Sequence, residues 1–178
     1  MIASDTLFQL DFFLGRIDSD YIKYLYEADR FHHVYYKDGD LLYNSKRPYL
    51  FTYQSFTDYL YAMPITSFEE GRFDTSLKNN YVKGYILLED YFGVKKDSYL
   101  GAVRPCYMIP VKEGVYHRIS LDEKVWLANE YNVIKNEKLP IILDMAQKYY
   151  YNQNVKGILN RQQVCFADVE DACDKFSV

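Results

Sequence analysis

The chain is poor in cysteine, proline and glycine, with three, five and eight of them in 178 residues. Cys106, Cys165 and Cys173 are an odd number without metal-type spacing. They exclude a disulfide scaffold and are expected as reduced core residues. Paired histidines, Cys-x-x-Cys and glycine-rich phosphate loops are missing too, so neither a metal nor a cofactor is expected. No run approaches the roughly 20 apolar residues of a membrane helix. In "MIASDTLFQLDFFLGR", Asp5 and Asp11 stand where a secretory signal carries positive charge and an unbroken apolar run. A cytoplasmic protein without a membrane partner is therefore expected. A basic excess is also lacking: the formal net charge is −4, so any binding of a polyanion has to come from the local placement of cations.

What the chain does have is tyrosine, twenty of them, within an ordinary globular balance of 49% hydrophobic and 26% charged residues. Tyrosine offers a stacking face and a hydroxyl, which suits half-buried strands, interfaces and nucleobase contacts. The length fits one domain with a real core. No internal repeat, low-complexity tract or long linker divides it.

"SDYIKYLYEA", 19–28, places Ile22, Leu25 and Tyr26 at helical spacing behind Ser19, the expected N-cap. "KDGD" is expected as a turn and "YNSKRP" as a basic loop. "PYLFTYQSFTDYLYAMPI", 48–65, alternates aromatic and polar residues around a break at 55–58 and predicts an antiparallel hairpin. "YVKGYILLEDYFG" and "SYLGAVRPCYMIPV" supply further strands, the second with prolines that mark a bulge or edge. Helices are expected in "LDEKVWLANEYNVIKNEK", again after Pro140, and in "DVEDACDKF". Strands first and helices later predict an α+β domain with an antiparallel sheet.

The stretch 145–164, "MAQKYYYNQNVKGILNRQQV", carries Lys148, Lys156 and Arg161 and no acid, interleaved with tyrosines, among them Tyr150, and amides. Cations address phosphate while aromatics and amides address unstacked bases, so this mix fits RNA.

Several stretches in register resemble one family: "DYIKYLYEAD" (20–29), "YNSKRPYLF" (43–51), "YLYAMPITS" (59–67), "LGAVRPCYMIPV" (100–111) and "VCFADVEDACDKF" (164–176). Together they resemble the ToxN/AbiQ endoribonuclease toxins of bacterial type III toxin–antitoxin systems. The resemblance spans 13–178 and leaves 1–12 as an N-terminal extension. It implies a strongly twisted antiparallel sheet similar to MazF and Kid, a partial barrel flanked by helices. It also implies metal-independent RNA cleavage leaving a 2′,3′-cyclic phosphate. Inhibition would come from a repeated small pseudoknot RNA that assembles with the toxin into closed hetero-oligomers. Tyr43 and Arg47 take the places of the family's active-site tyrosine and basic residue, and Thr66 and Ser67 those of its Thr-Ser pair. Where the family continues with proline and lysine, this chain reads Phe68, Glu69, Glu70, Gly71, Arg72. The family's tyrosine on the helix corresponding to 122–137 has no clear match; Tyr131 lies nearby.

Metal-free cleavage needs a group to take the 2′-OH proton, one to protonate the leaving oxygen, and donors for the phosphorane. Thr66 and Ser67 offer hydroxyls and N–H groups, Arg47, Lys46 and Arg72 offer cations, and Glu69 is the candidate general base. His32, His33 and His117 stay outside this set. Two other readings remain open at this stage: an RNA-binding relative altered in catalysis by Glu69 and Glu70, and an unrelated tyrosine-rich interaction domain.

Overall fold

Alternating aromatic and polar residues give the strand pair that the rest of the chain is built on. In the computed structural model, which describes residues 12–90, 99–123 and 125–178, β2 (Tyr49–Tyr53) and β3 (Leu60–Ser67) form the expected hairpin, with Tyr49 opposite Pro64 and Tyr53 opposite Leu60. β1 (Phe12–Ile17) adds to β2, and β8 (Tyr116–Arg118) adds to β1. On its other side β3 has two partners. Its far end, Ile65–Ser67, pairs with β6 (Tyr99–Val103), and its near end, Leu60–Ala62, with β7 (Ile109–Val111). β5 (Tyr85–Glu89) and the short β4 (Asn79–Asn80) extend the β6 side. The pairings are all antiparallel, and the sheet is open, in the order β4-β5-β6-β3-β2-β1-β8 with β7 branching from β3.

Prolines explain the branch. Pro105 ends β6 in a 3-10 turn over Pro105–Tyr107, and Met108 re-enters extended backbone before β7. The single proline-bearing strand read from sequence is thus two strands. The helices are α1 (Ser19–Ala28), α2 (Leu41–Lys46), α3 (Val125–Val133), α4 (Leu139–Asn154) and α5 (Phe166–Lys175). The architecture is the expected single α+β domain with a helical C-terminal part.

Three local expectations are corrected. "YNSKRP" is not a loop: its first four residues end α2, whose N-terminus is capped by Asp40 accepting from the Tyr43 N–H at 2.8 Å. Ser19 is not the N-cap of α1; Asp18 is, with no side-chain capping bond. The expected helix restart after Pro140 is instead a continuous path through a π-helical turn, Ile134–Lys138, with Pro140 tolerated in the first turn of α4. β1 was not foreseen. The expected extension, 1–12, lies outside the described residues except for Phe12, the first residue of β1.

The core runs from Leu14, Ile22 and Leu25 through Phe51, Tyr61 and Met63 to Ile142, Phe166 and Val169. The three cysteines are free and buried in it, as expected. One buried carboxylate sets the loop after α1. Asp29, 0% exposed, accepts N–H bonds from Phe31 and Cys165 on Oδ1, and from His33 on Oδ2. Arg30 locks the same loop to α5 by a bidentate contact with Asp168, whose carboxyl it holds below the usual range. No helix among the described residues is long and apolar enough to cross a membrane.

Candidate functional site

The hairpin register brings the candidate residues together. With Tyr49 paired to Pro64, and Ile65 N–H donating to the Pro48 carbonyl at 3.0 Å, the residues just before β2 lie beside the end of β3. Arg47 thereby meets Thr66 and Ser67. Tyr43, Lys46, Arg47, Thr66, Ser67, Glu69 and Arg72 all line one cleft of ≈ 410 Å³. A larger cleft of ≈ 690 Å³ lies between β1, α1 and the C-terminal residues, but Asp18 and Asp20 on its wall disfavour an anion.

Arg47 is the best-held group in the smaller cleft. Its guanidinium carbon lies 4.6 Å from the Tyr43 ring centre and 4.5 Å from that of Tyr35, so the cation sits between two aromatic faces. Helical geometry supplies one face, since Tyr43 precedes Arg47 by one turn. The Asp29 loop leads to the other. Tyr35 is half-buried, and burial raises its phenol above the ordinary value, keeping it neutral. α2 has only six residues, yet it is pinned by buried Asn44, which exchanges two 2.9 Å bonds with the backbone of Lys37.

Thr66 and Ser67 have different surroundings. Thr66 is 2% exposed and its hydroxyl donates to the Ala102 carbonyl at 3.4 Å, whereas Ser67 is exposed. Of the two hydroxyls, that of Ser67 is the one open to the cleft. Glu69 lies 3.6 Å from an Arg72 guanidinium nitrogen in an exposed pair at the rim. Acid and cation therefore stand together where the sequence offered them separately.

The other candidates lie elsewhere. Tyr131 stacks on Phe12, with ring centres 4.9 Å apart. Tyr150 packs against Phe56 and Phe166. Lys148 pairs with Asp144 at 2.8 Å, and Lys156 lies over Tyr151. Arg161 is exposed, and its carbonyl meets the His33 ring.

Tyr35 escaped the sequence reading, and so did two residues that act near it or near Ser67. Arg104 donates to the Tyr35 hydroxyl at 2.8 Å and lies over Tyr107 at 4.5 Å, so it helps to fix the ring that contacts Arg47. Glu130, on α3, is 2% exposed, and its Oε2 has no hydrogen-bond partner among the described residues. It is close to Gly101, the partner of Ser67 across the β3–β6 ladder. Burial pushes its carboxyl up from the ordinary 4.5 to about 8. The folded state keeps a proton that the unfolded chain releases, so stability falls as pH rises from about 4.5 to about 8. The expected slope from this group is ~1.4 kcal/mol per pH unit. Glu130→Gln should remove that share of the slope, which urea unfolding of both proteins across this pH range would measure.

An open antiparallel sheet with helices packed on it, carrying Arg47 between two tyrosines and sharing a cleft with an exposed serine and further cations, defines the class as a single α+β domain. The chain belongs to the family described as Toxin ToxN, type III toxin-antitoxin system, which it matches over residues 13–174. It is similar to the solved structure of a bacterial type III system in which a non-coding RNA pseudoknot selectively inhibits the toxin. That match has 22% identity and a TM-score of 0.72, and covers 93% of this chain and 97% of the other. AbiQ, a lactococcal anti-phage endoribonuclease of the type III class, matches at 17% identity and a TM-score of 0.73, over 92% and 96%. A third structure, from a bacterial antiviral system regulated by a processed non-coding RNA, matches at 19% and 0.70, over 93% and 99%. No curated protein matches the chain. At these identities the structural likeness establishes the fold.

Proposed function

We propose that the chain is a metal-independent endoribonuclease toxin of the bacterial cytoplasm. It cleaves RNA by 2′-OH attack and is held inactive by a repeated small pseudoknot RNA in a closed protein–RNA assembly. The observation that carries this reading is the placement of Arg47, fixed between Tyr35 and Tyr43, in one cleft with Ser67. Family membership and the fold it shares with AbiQ support it.

In the proposed reaction the 2′-oxygen loses its proton to Glu69 and bonds to phosphorus. The P–O5′ bond breaks, leaving a 2′,3′-cyclic phosphate and a 5′-hydroxyl that takes its proton from the Tyr43 phenol, which Glu69 reprotonates through water after the cut. Arg47 and Lys46 neutralise the phosphorane oxygens, and Ser67 donates to one of them. If Glu69 is the base, Glu69→Gln lowers cleavage by about 10²–10⁴-fold, the usual contribution of a positioned proton acceptor. Unchanged cleavage in a timed assay would give Glu69 no more than a rim ion pair with Arg72.

The decisive test is induction of the intact gene, and of a Ser67→Ala version, without companion RNA, followed by mapping of 5′-hydroxyl ends in total RNA. Growth arrest with new ends at a recurring short sequence, both lost in Ser67→Ala, is the expected result. The observation favouring a second reading is the exposed Glu69–Arg72 pair at the cleft rim, which places a carboxylate where the resemblance leads one to expect lysine. Neither arrest nor new ends from a folded protein would establish that reading, an RNA binder without catalysis.

A further inference from the structure

A second pocket, of ≈ 240 Å³, is lined by Lys83, Arg104, Tyr107, Asn160, Gln162 and Gln163, and its Arg104 bonds the Tyr35 hydroxyl. A series of cation–ring and ring–ring contacts, the last of them tilted, links it to the cleft. Tyr43 lies on Arg47, Arg47 on Tyr35, and Tyr35 on Tyr107 with ring centres 5.1 Å apart. Arg104 spans the last step by bonding Tyr35 and covering Tyr107.

The pocket walls are built to present amides. Gln163 is held by the buried Gln153, whose Nε2 donates to Gln163 Oε1 at 3.2 Å and to the Val164 carbonyl at 2.9 Å. Asn160 Oδ1 accepts the Gln162 N–H at 2.9 Å, fixing the turn. The Gln162 amide, the Asn160 NH₂ and the Lys83 ammonium have no hydrogen-bond partner among the described residues. An amide offers donor and acceptor side by side, the complement of a base edge, and an arginine plane stacks on bases. The volume is below the roughly 300–1,000 Å³ of pockets for drug-sized ligands and suits one planar base. Arg161, next in sequence to two lining residues and exposed, provides a cation for the adjoining phosphate.

We infer that this pocket is a base-recognition subsite: it takes an unstacked nucleobase of single-stranded RNA, flanking the phosphate held at Arg47. The inference rests on the proposed RNA-cleaving function and names the determinant of its sequence preference. Gln162 and Asn160 read the base edge, Arg104 stacks on it, and Lys83 and Arg161 hold the backbone.

The test compares the protein with Gln162→Ala and Asn160→Ala on a random-sequence RNA library, with cleavage ends sequenced. Expected is about a tenfold loss of base preference at one position near the cut, with preferences elsewhere and the cut itself retained. A parallel arm titrates a cognate inhibitory RNA against each protein. Weakened neutralisation with an unchanged cleavage pattern would assign the pocket to a base of the inhibitor instead of the substrate, with the same chemistry. Preference and neutralisation both unchanged would overturn the inference. A second readout is independent of catalysis: single-stranded RNA carrying 4-thiouridine is photocrosslinked to Ser67→Ala protein, and the peptides are identified. Crosslinks at Tyr107 or within 160–163 support the subsite, and bound RNA crosslinked only elsewhere refutes it. If the native protein cleaves nothing, the proposed function fails while the crosslink still decides the pocket.

Discussion

Alanine at Arg47 is expected to lower the rate of RNA cleavage by about 10²–10³-fold, the usual cost of removing one preorganised donor to a developing charge. The guanidinium is fixed before substrate arrives, because Tyr35 and Tyr43 contact it from two sides at 4.5 and 4.6 Å. Little side-chain freedom remains to be lost on binding. The planar fork also matches two phosphate oxygens at once, so Arg47→Lys keeps the charge and is expected to recover less than a tenth of the native rate. Stability should change little, since the two cation–π contacts are worth about 0.5–2 kcal/mol each and the Arg47 Nε is buried without a hydrogen-bond partner among the described residues. Single-turnover cleavage of a defined RNA, together with thermal unfolding of the same preparations, separates the two effects. A drop in rate that follows loss of fold would remove Arg47 from the chemistry.

Gly101→Ala is expected to be the most damaging single-methyl change near the cleft. A Cβ at Gly101 would stand 2.5 Å from the Thr66 carbonyl oxygen and 3.1 Å from Glu130 Oε1. The first neighbour is backbone, held in the β3–β6 ladder, and cannot swing aside as a side chain would. Either the strands part or the end of β3 moves. The expected cost is about 3 kcal/mol, at the upper end for overpacking a tight site. Because Thr66 and Ser67 form that end of β3, whatever protein remains folded should cleave poorly. Urea denaturation and cleavage by the folded fraction would show both, and native-like values of either would mean that the ladder tolerates the insertion.

These sites differ in how far the sequence reveals them. The hairpin is legible because alternation over 48–65 is strong, and its antiparallel register alone carries Arg47 to Thr66 and Ser67. The resemblance to the toxin family rests on short stretches whose order matches the chain. α2 is hidden because six residues ending in "YNSK" show no full helical period; the Asp40 cap and the Asn44 bonds hold it. Glu130 looks like one acid among others on a helix, and only the arrangement of α3 against β6 makes it buried. Arg104 and Tyr107 reach Tyr35 across some seventy residues of chain, through the pairing of β6 with β3, a connection that no local pattern encodes. The basic stretch 145–164 gives the reverse case. Its composition suggested one RNA-binding face, but Tyr150 packs inward while Arg161 stands beside the amide pocket.

The buried Asp29 has a consequence for the order of assembly. Its carboxylate shapes the loop that leads to Tyr35, yet one of its three donors is the N–H of Cys165, and Arg30 beside it is clamped by Asp168. That loop is complete only when the segment beginning at Val164 docks. Until it docks, Asp29 lacks its Cys165 donor and Arg30 its clamp, so the loop that leads to Tyr35, and with it one aromatic face on Arg47, is not yet held.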